Sequence, residues 1–295
     1  MASQEIAVAP SAGRSMKRSS MSPRTLFSSV MTGVALVFTL MALIPLFAIL
    51  IYVFIQGASR LSFDLFTQLP PPPLVKGGGF GNAVVGTLLM VGIASALSIP
   101  FGVAAAIFLS EFARDTKLAN TVDFFTNVLS GVPSIVIGVF AYAIVVLKTG
   151  TFSAFAGGVA LAVLMLPTIV RTAAEALEAV PRDYRQASVG LGATQFQTVV
   201  RIVLPAAIPA IVTGVMLAIA RAAGETAPLI FTALFNQYWA RGVWEPTASL
   251  AVLVFNFAIV PYKNQQELAW AGSLVLVAMV LLTSILARWV TKKRK

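Results

Sequence analysis

Not one charged residue lies between Arg24 and Arg60. Positions 26–55 of that interval read "LFSSVMTGVALVFTLMALIPLFAILIYVFI", apolar or small almost throughout. About 20 such residues in a helix cross the hydrocarbon of a bilayer. Lipid offers backbone amides no partner, so a run like this must be helical to satisfy its own hydrogen bonds. Further apolar runs occur at about 82–110, 124–147, 151–170, 206–235 and 268–288, which makes six candidate spans. A seventh run, "TASLAVLVFNFAIV" (247–260), is too short to cross and reads as an interfacial or re-entrant piece. The expected fold class is all-α integral membrane with six transmembrane helices.

The composition agrees, with 58% hydrophobic and 11% charged residues, where soluble domains carry about a quarter charged. A net charge of +10 invites thoughts of nucleic acid, but the basic residues are scattered between apolar runs rather than gathered in a stripe. They sort instead by side. Six spans put fifteen Lys and Arg on the side holding both termini and five (Arg60, Lys76, Lys148, Arg241, Lys263) on the other. The positive-inside rule then predicts cytoplasmic termini. Residues 1–24 are Ser-rich and basic and read as a disordered cytoplasmic tail, leaving 25–292 as the membrane domain. The stretch "LPPPPLVKGGGFGN" (69–82) reads as a stiff proline segment joined to a flexible glycine turn.

The chain has no cysteine and no histidine. Disulfides, thiol chemistry and the usual soft metal sites are therefore excluded, as is the commonest acid–base side chain near neutrality. There is no GxxxxGK[ST] loop to cradle nucleotide phosphates. No catalytic residues and no cofactor are expected on this chain, and if ATP is involved another subunit binds it. An enzyme embedded in the membrane would have only carboxylates and hydroxyls to work with. A secondary transporter usually shows internal repeats and several intramembrane acids, and neither is evident.

The strongest local signal is "EALEAVPRDYRQASVGLGATQFQTVVRIVLPAAIP" (175–209). Pro181 suits a helix start, and Asp183 suits the positive end of the helix dipole. Tyr184, Ala187, Ser188 and Leu191 repeat at helical spacing as a small-residue face, and Gly192 is a left-handed stop. Thr194 and Gln197 form a capping-box pattern, so a second helix starts at once and runs through Val199, Val200 and Ile202 until Pro205 interrupts it. Two short helices meeting at an angle near Gly192 are expected on the cytoplasmic face.

The spacing resembles the EAA loop of ABC-importer permeases, E-A-A-x3-G-x9-I-x-L-P. Here it runs Gln186-Ala187-Ser188, Gly192, Ile202, Leu204 and Pro205, with Gln186 in place of the family's glutamate and Ser188 in place of its second alanine. The resemblance implies the type I ABC importer permease fold. It also implies a coupling loop over 174–205 in which Tyr184, Arg185, Gln186 and Ala187 dock into a groove on a nucleotide-binding subunit. A helix lying on the membrane surface is the competing reading, and it calls for larger apolar residues and more lysine.

A second signal is "ARAAGETAPL" (220–229), where Arg221 and Glu225 fall near the middle of an apolar run. A central arginine costs about 2.5–3.5 kcal/mol to insert. An i, i+4 pair with the arginine first contributes only a few tenths of a kcal/mol, so intrahelical pairing does not offset that cost. Gly224 and Pro228 add a kink on the same turn, since Pro228 lacks the N–H that Gly224 O would accept from. Such irregular backbone is tolerated against protein or beside water. A residue pair lining a wet path and a helix–helix ion pair both remain open, with the kink favouring the first. A guanidinium fork suits a tetrahedral oxyanion, and a carboxylate can accept a hydrogen bond from an anion that keeps a proton, as phosphate does and sulfate does not.

The segments "GGGFGNAVVGTLLM" (77–90), "SGVPSIVIG" (130–138), "LPTIVRTAAEAL" (166–177), "ARAAGETAPLIFTAL" (220–234) and "QQELAWAGSLVL" (265–276) are similar, in this order, to the PstA-type permeases of phosphate ABC importers. That resemblance implies a PstC-like sister permease, a dimeric ATPase subunit that holds ATP and Mg, a periplasmic phosphate-binding protein, and a bacterial inner-membrane location. It places Arg221 and Glu225 on the phosphate path, with Arg171 near the exit of that path. Without it, Arg171 reads as an orientation anchor. A permease for sulfate or molybdate is the runner-up. Pro100 and Pro133 are expected to kink spans two and three.

Overall fold

The computed structural model describes residues 23–114 and 116–292. The expected tail lies outside them except for Pro23 and Arg24, which open the first helix. Of the described residues, those up to Tyr52 fall in one compact unit and those from Val53 onward in another. The first helix, α1 (Pro23–Ala58), accounts for the described part of the first unit and runs on through Pro45.

Every element of the second unit is helical: α2 (Asp64–Thr67), α3 (Gly81–Ile107), α4 (Lys117–Gly131), α5 (Ser134–Ala141), α6 (Leu147–Thr149), α7 (Ala154–Glu178), α8 (Arg182–Gly190), α9 (Gln195–Thr198), α10 (Leu204–Ala223), α11 (Ala227–Thr232), α12 (Leu250–Ala258) and α13 (Lys263–Lys292). Wider π-helical turns follow α3, α5 and α9 at Phe108–Phe112, Tyr142–Val146 and Val199–Val203. Among the described residues, five helical runs are long and apolar enough to cross a membrane, and the broken pair α4–α5 makes six when counted as one span.

The expected span 124–147 is thus not one helix. It breaks at Val132 and Pro133, with a bend of 105° between its halves. Pro133 is extended (ψ 136) rather than helical, and its ring disfavours helical geometry in Val132 before it. Pro100 behaves differently, since α3 continues through it. The run 247–260 is short and dips into protein: α12 has nine residues, with Leu250, Ala251, Val252, Leu253 and Phe257 buried. Its first amides are capped by Ser249 and by the Thr87 hydroxyl, which accepts from Leu250 N at 2.8 Å.

The core is the packing of α3 and α10 on α7. Met90, Leu161, Met165, Ile169 and Val203 are fully buried there. Small residues permit the close approach, as is usual between helices in lipid. A Cβ at Gly158 would stand 2.5 Å from Ile93 Cγ2, and one at Gly102 would stand 2.7 Å from Ile169 Cγ2. A smaller cluster holds α12 and α13 together around Leu250, Leu253 and Leu268.

The stretch 69–82 is less free than its composition suggests. Gly77 and Gly78 supply positive φ (95° and 71°). The loop is tied down by Gly79 N to Leu69 O at 3.0 Å, Asn264 Nδ2 to Val75 O at 2.7 Å and Arg60 Nη2 to Gly77 O at 3.3 Å.

Candidate functional site

Two places in the second unit hold the candidate residues: an elbow between α7 and α10, and a break between α10 and α11.

The elbow forms as its sequence dictates. Pro181 precedes α8, with Asp183 in its first turn. Gly192 is left-handed (φ 89°) and closes α8 through Gly192 N to Val189 O and Ala193 N to Ser188 O, the double bond of a glycine-stopped helix. Thr194 and Gln197 cap α9 reciprocally, with Gln197 N to Thr194 Oγ1 at 3.2 Å and Thr194 N to Gln197 Oε1 at 3.0 Å. Pro205 does not end the second limb. The helical run continues from Gln195 to Ala223. The π-helical turn at Val199–Val203 immediately precedes α10, leaving Pro205, which has no N–H, in that helix's first turn.

Tyr184, Gln186, Ala187 and Gly192 are exposed on this elbow, whereas Ile202 and Leu204 are half-buried on its second limb beside exposed Pro205. The face differs from the expected one in two ways. Ser188 is turned inward and shares a hydrogen bond with Thr198 at 2.8 Å. Larger apolar groups outside the expected face, Val189 and Phe196, stand out beside Leu191, which belongs to that face and is 90% exposed. Arg185 also departs from expectation, because its guanidinium is not presented outward. It pairs with Glu111 (Nη2–Oε1 2.6 Å, Nε–Oε2 3.2 Å) and donates to the carbonyls of Val180 and Leu177 at 2.6 and 2.9 Å.

At the break, α10 stops at Ala223, and Gly224 and Glu225 close it with short bonds back to Arg221 O and Ala222 O. A new helix starts at Ala227, with Pro228 in its first turn. The expected kink within one helix over 206–235 is therefore a termination and restart. Pro228 opens a helix, where its missing N–H costs nothing, instead of distorting one. Gly224 is not forced by space, since the nearest atom to a Cβ there is Arg221 O at 3.7 Å. The glycine that matters is Gly138 of α5, whose Cβ would lie 2.6 Å from Pro228 Cα. Half of the broken α4–α5 span thus seats the restarted α11.

Arg221 stands in the last turn of its helix. Its Nε lies 3.8 Å from Glu225 Oε1, beyond hydrogen-bond reach, with the side chains 56% and 17% exposed. Among the described residues this loose ion pair is the one polar contact either side chain makes. Arg171 lies elsewhere, on α7. Its Nε donates to Glu175 at 3.1 Å, and it lines a polar cavity of about 440 Å³ with Arg114, Asp123 and Glu178. The structure does not bring Arg171 into contact with Arg221.

Residues 98–295 match the family described as binding-protein-dependent transport system inner membrane component. The chain belongs to that family. This permease is 43% identical over 240 residues to the phosphate transport system permease protein PstA of Yersinia pestis, covering 81% of each chain. It is 39% identical over 272 residues to the protein of the same name from Haemophilus influenzae, covering 92% of this chain and 96% of that one. Its fold is shared with a chain of a bacterial alginate ABC transporter at a TM-score of 0.64 and 14% identity, covering 93% of the permease and 99% of its counterpart. The permease is thus an all-helical, multi-pass transport subunit of the bacterial inner membrane with the fold of ABC-importer permeases.

Two functional features were not evident in the sequence. Glu111, the first acid after an apolar run, was a visible signal, but its partner Arg185 lies 74 positions away. Gly138 shows no local oddity at all.

Proposed function

We propose that this permease is a membrane subunit of an ATP-driven phosphate importer and that Arg221 and Glu225 line the phosphate path it forms with a PstC-like sister subunit. The observation that carries the phosphate assignment is the likeness to phosphate transport permeases along nearly the whole of both chains. The site adds a chemical reason. Arg221 keeps its donors free at the end of a helix, on backbone that is already interrupted. A guanidinium in that state can offer two parallel hydrogen bonds to a tetrahedral oxyanion. Glu225 beside it can accept a hydrogen bond from a P–OH group and repels an anion that has no proton to give. Arg171 sits on the elbow side of α7 and serves the exit of the same path.

The elbow lies on the cytoplasmic side, as do both termini. There Tyr184, Ala187, Leu191 and Phe196 dock into a groove on a dimeric ATPase subunit, which holds ATP and Mg. Exposed apolar side chains on a short capped helix suit the helix-in-groove mode of recognition. ATP binding draws the two elbows together and opens the paired permeases outward. A periplasmic phosphate-binding protein then delivers its cargo, and hydrolysis resets the path.

The test is ATPase activity of the complete complex in proteoliposomes, with the binding protein loaded with phosphate or replaced by its sulfate-loaded counterpart. Stimulation by phosphate alone supports the reading. Equal stimulation by both anions, or by sulfate alone, contradicts it.

A further inference from the structure

Arg185 is the most heavily bonded cation among the described residues, yet nothing in the transport path or the docking face uses it. Its four hydrogen bonds reach two elements and the turn between α7 and α8. The fork grips Glu111 in the π-helical turn that ends α3, while the same guanidinium donates to Leu177 O in the last turn of α7 and to Val180 O just beyond it. Glu111 is held a second time, since Gln195 Nε2 donates to its backbone carbonyl from the first residue of α9. Glu111 stands in the last turn of its helical run, where carbonyls have no intrahelical donor, so its carbonyl is left for an outside one. The carboxylate is only 8% exposed and the guanidinium 22%.

Both limbs of the elbow are thereby fastened to one residue at the end of α3, and α8 is fastened to the end of α7. The helices α3 and α7 are themselves closely packed in the core, with Gly102 and Gly158 at their contact. A loop joined only by its chain ends would dissipate a push, whereas this one is bonded to the core at a point remote in sequence. Ser188 and Thr198 bond the two limbs to each other, so the elbow moves as one body.

We infer that Arg185 and Glu111, with Gln195, form a clamp that transmits displacement of the elbow to α3 and α7, making them positioning residues for coupling rather than contacts to the ATPase. The inference rests on the importer reading above for its consequence, though not for its geometry. It separates Arg185 from its exposed neighbours Tyr184 and Gln186: they meet the partner, and Arg185 passes the motion on.

The experiment uses the whole complex in proteoliposomes and reads phosphate moved per ATP hydrolysed, together with amide exchange over residues 182–198. Glu111→Gln keeps the shape and removes the charge. It should lower phosphate per ATP by at least about fivefold, the lower end of ordinary coupling energies, while the ATPase still co-purifies. Exchange over the elbow should rise about tenfold, as for one lost charge-assisted bond. Arg185→Ala should not add to Glu111→Gln in the double variant. Gln195→Ala, an exposed change that leaves the ion pair in place, should give a smaller effect of the same kind and serves if the other variants fail to assemble. Wild-type phosphate per ATP in Glu111→Gln overturns the clamp. So does loss of ATPase binding in Arg185→Ala alone, which would make Arg185 a docking contact. A wild-type complex that moves no phosphate refutes the importer reading, and the clamp is then decided by exchange: unchanged protection in Glu111→Gln refutes it too.

Discussion

Two of the permease's arginine–glutamate pairs look alike on paper and differ in distance, burial and bonding. Arg185 and Glu111 meet at 2.6 Å, are largely buried, and leave little of the guanidinium unused. Arg221 and Glu225 stand at 3.8 Å, with the arginine more than half exposed and no hydrogen bond to it among the described residues. A saturated buried pair fixes one arrangement of the chain, because separating its members strands a desolvated charge. A loose pair contributes little to stability and keeps its donors available. The first suits holding the chain, and the second suits the anion-binding role proposed for it.

That contrast is easiest to break where the energies are largest. Arg185→Ala leaves Glu111 buried without its partner, which should cost about 3–5 kcal/mol of stability. A fall in the detergent melting temperature of the purified complex would show it, and an unchanged melting temperature would make the pair ornamental. Gly138→Ala comes next, since the added carbon meets the backbone of Pro228. Overpacking of this sort costs about 1–3 kcal/mol, and here it should also displace α11, so phosphate uptake should fall with stability. Thr194→Ala removes one half of the capping box on α9 and should cost about 1 kcal/mol. Amide exchange limited to the elbow reads that change; if it spread to the break at Gly224, the two regions would not be independent.

How much of this was legible in the sequence depended on range. The elbow was readable because its determinants are local: a proline, a left-handed glycine, and a Thr–Gln pair three residues apart. The spans followed from apolar length alone. The failures were all tertiary. Pro133 could be read as a kink, but the 105° break reflects how α4 and α5 each find separate neighbours. Pro228 could be seen to forbid one hydrogen bond, yet nothing local distinguishes a bent helix from a stop and restart, and the close seat at Gly138 belongs to a distant segment. Arg185 was assigned to the docking face because the family resemblance implies it, and only the folded chain reveals Glu111 as its partner. Of the residues proposed to line the path, sequence could identify the charges but not the 3.8 Å gap between Arg221 and Glu225.

Arg221→Ala should alter stability least of all, by less than about 0.5 kcal/mol, since it removes an exposed and scarcely bonded group. Its effect on transport should be the opposite. Phosphate uptake by proteoliposomes holding the complete complex should fall about 10- to 100-fold, the loss expected when a charged group gives up its hydrogen bonds to an anion, with assembly and melting temperature unchanged. Uptake at the wild-type rate in a properly assembled Arg221→Ala complex would contradict the claim that this arginine meets the anion.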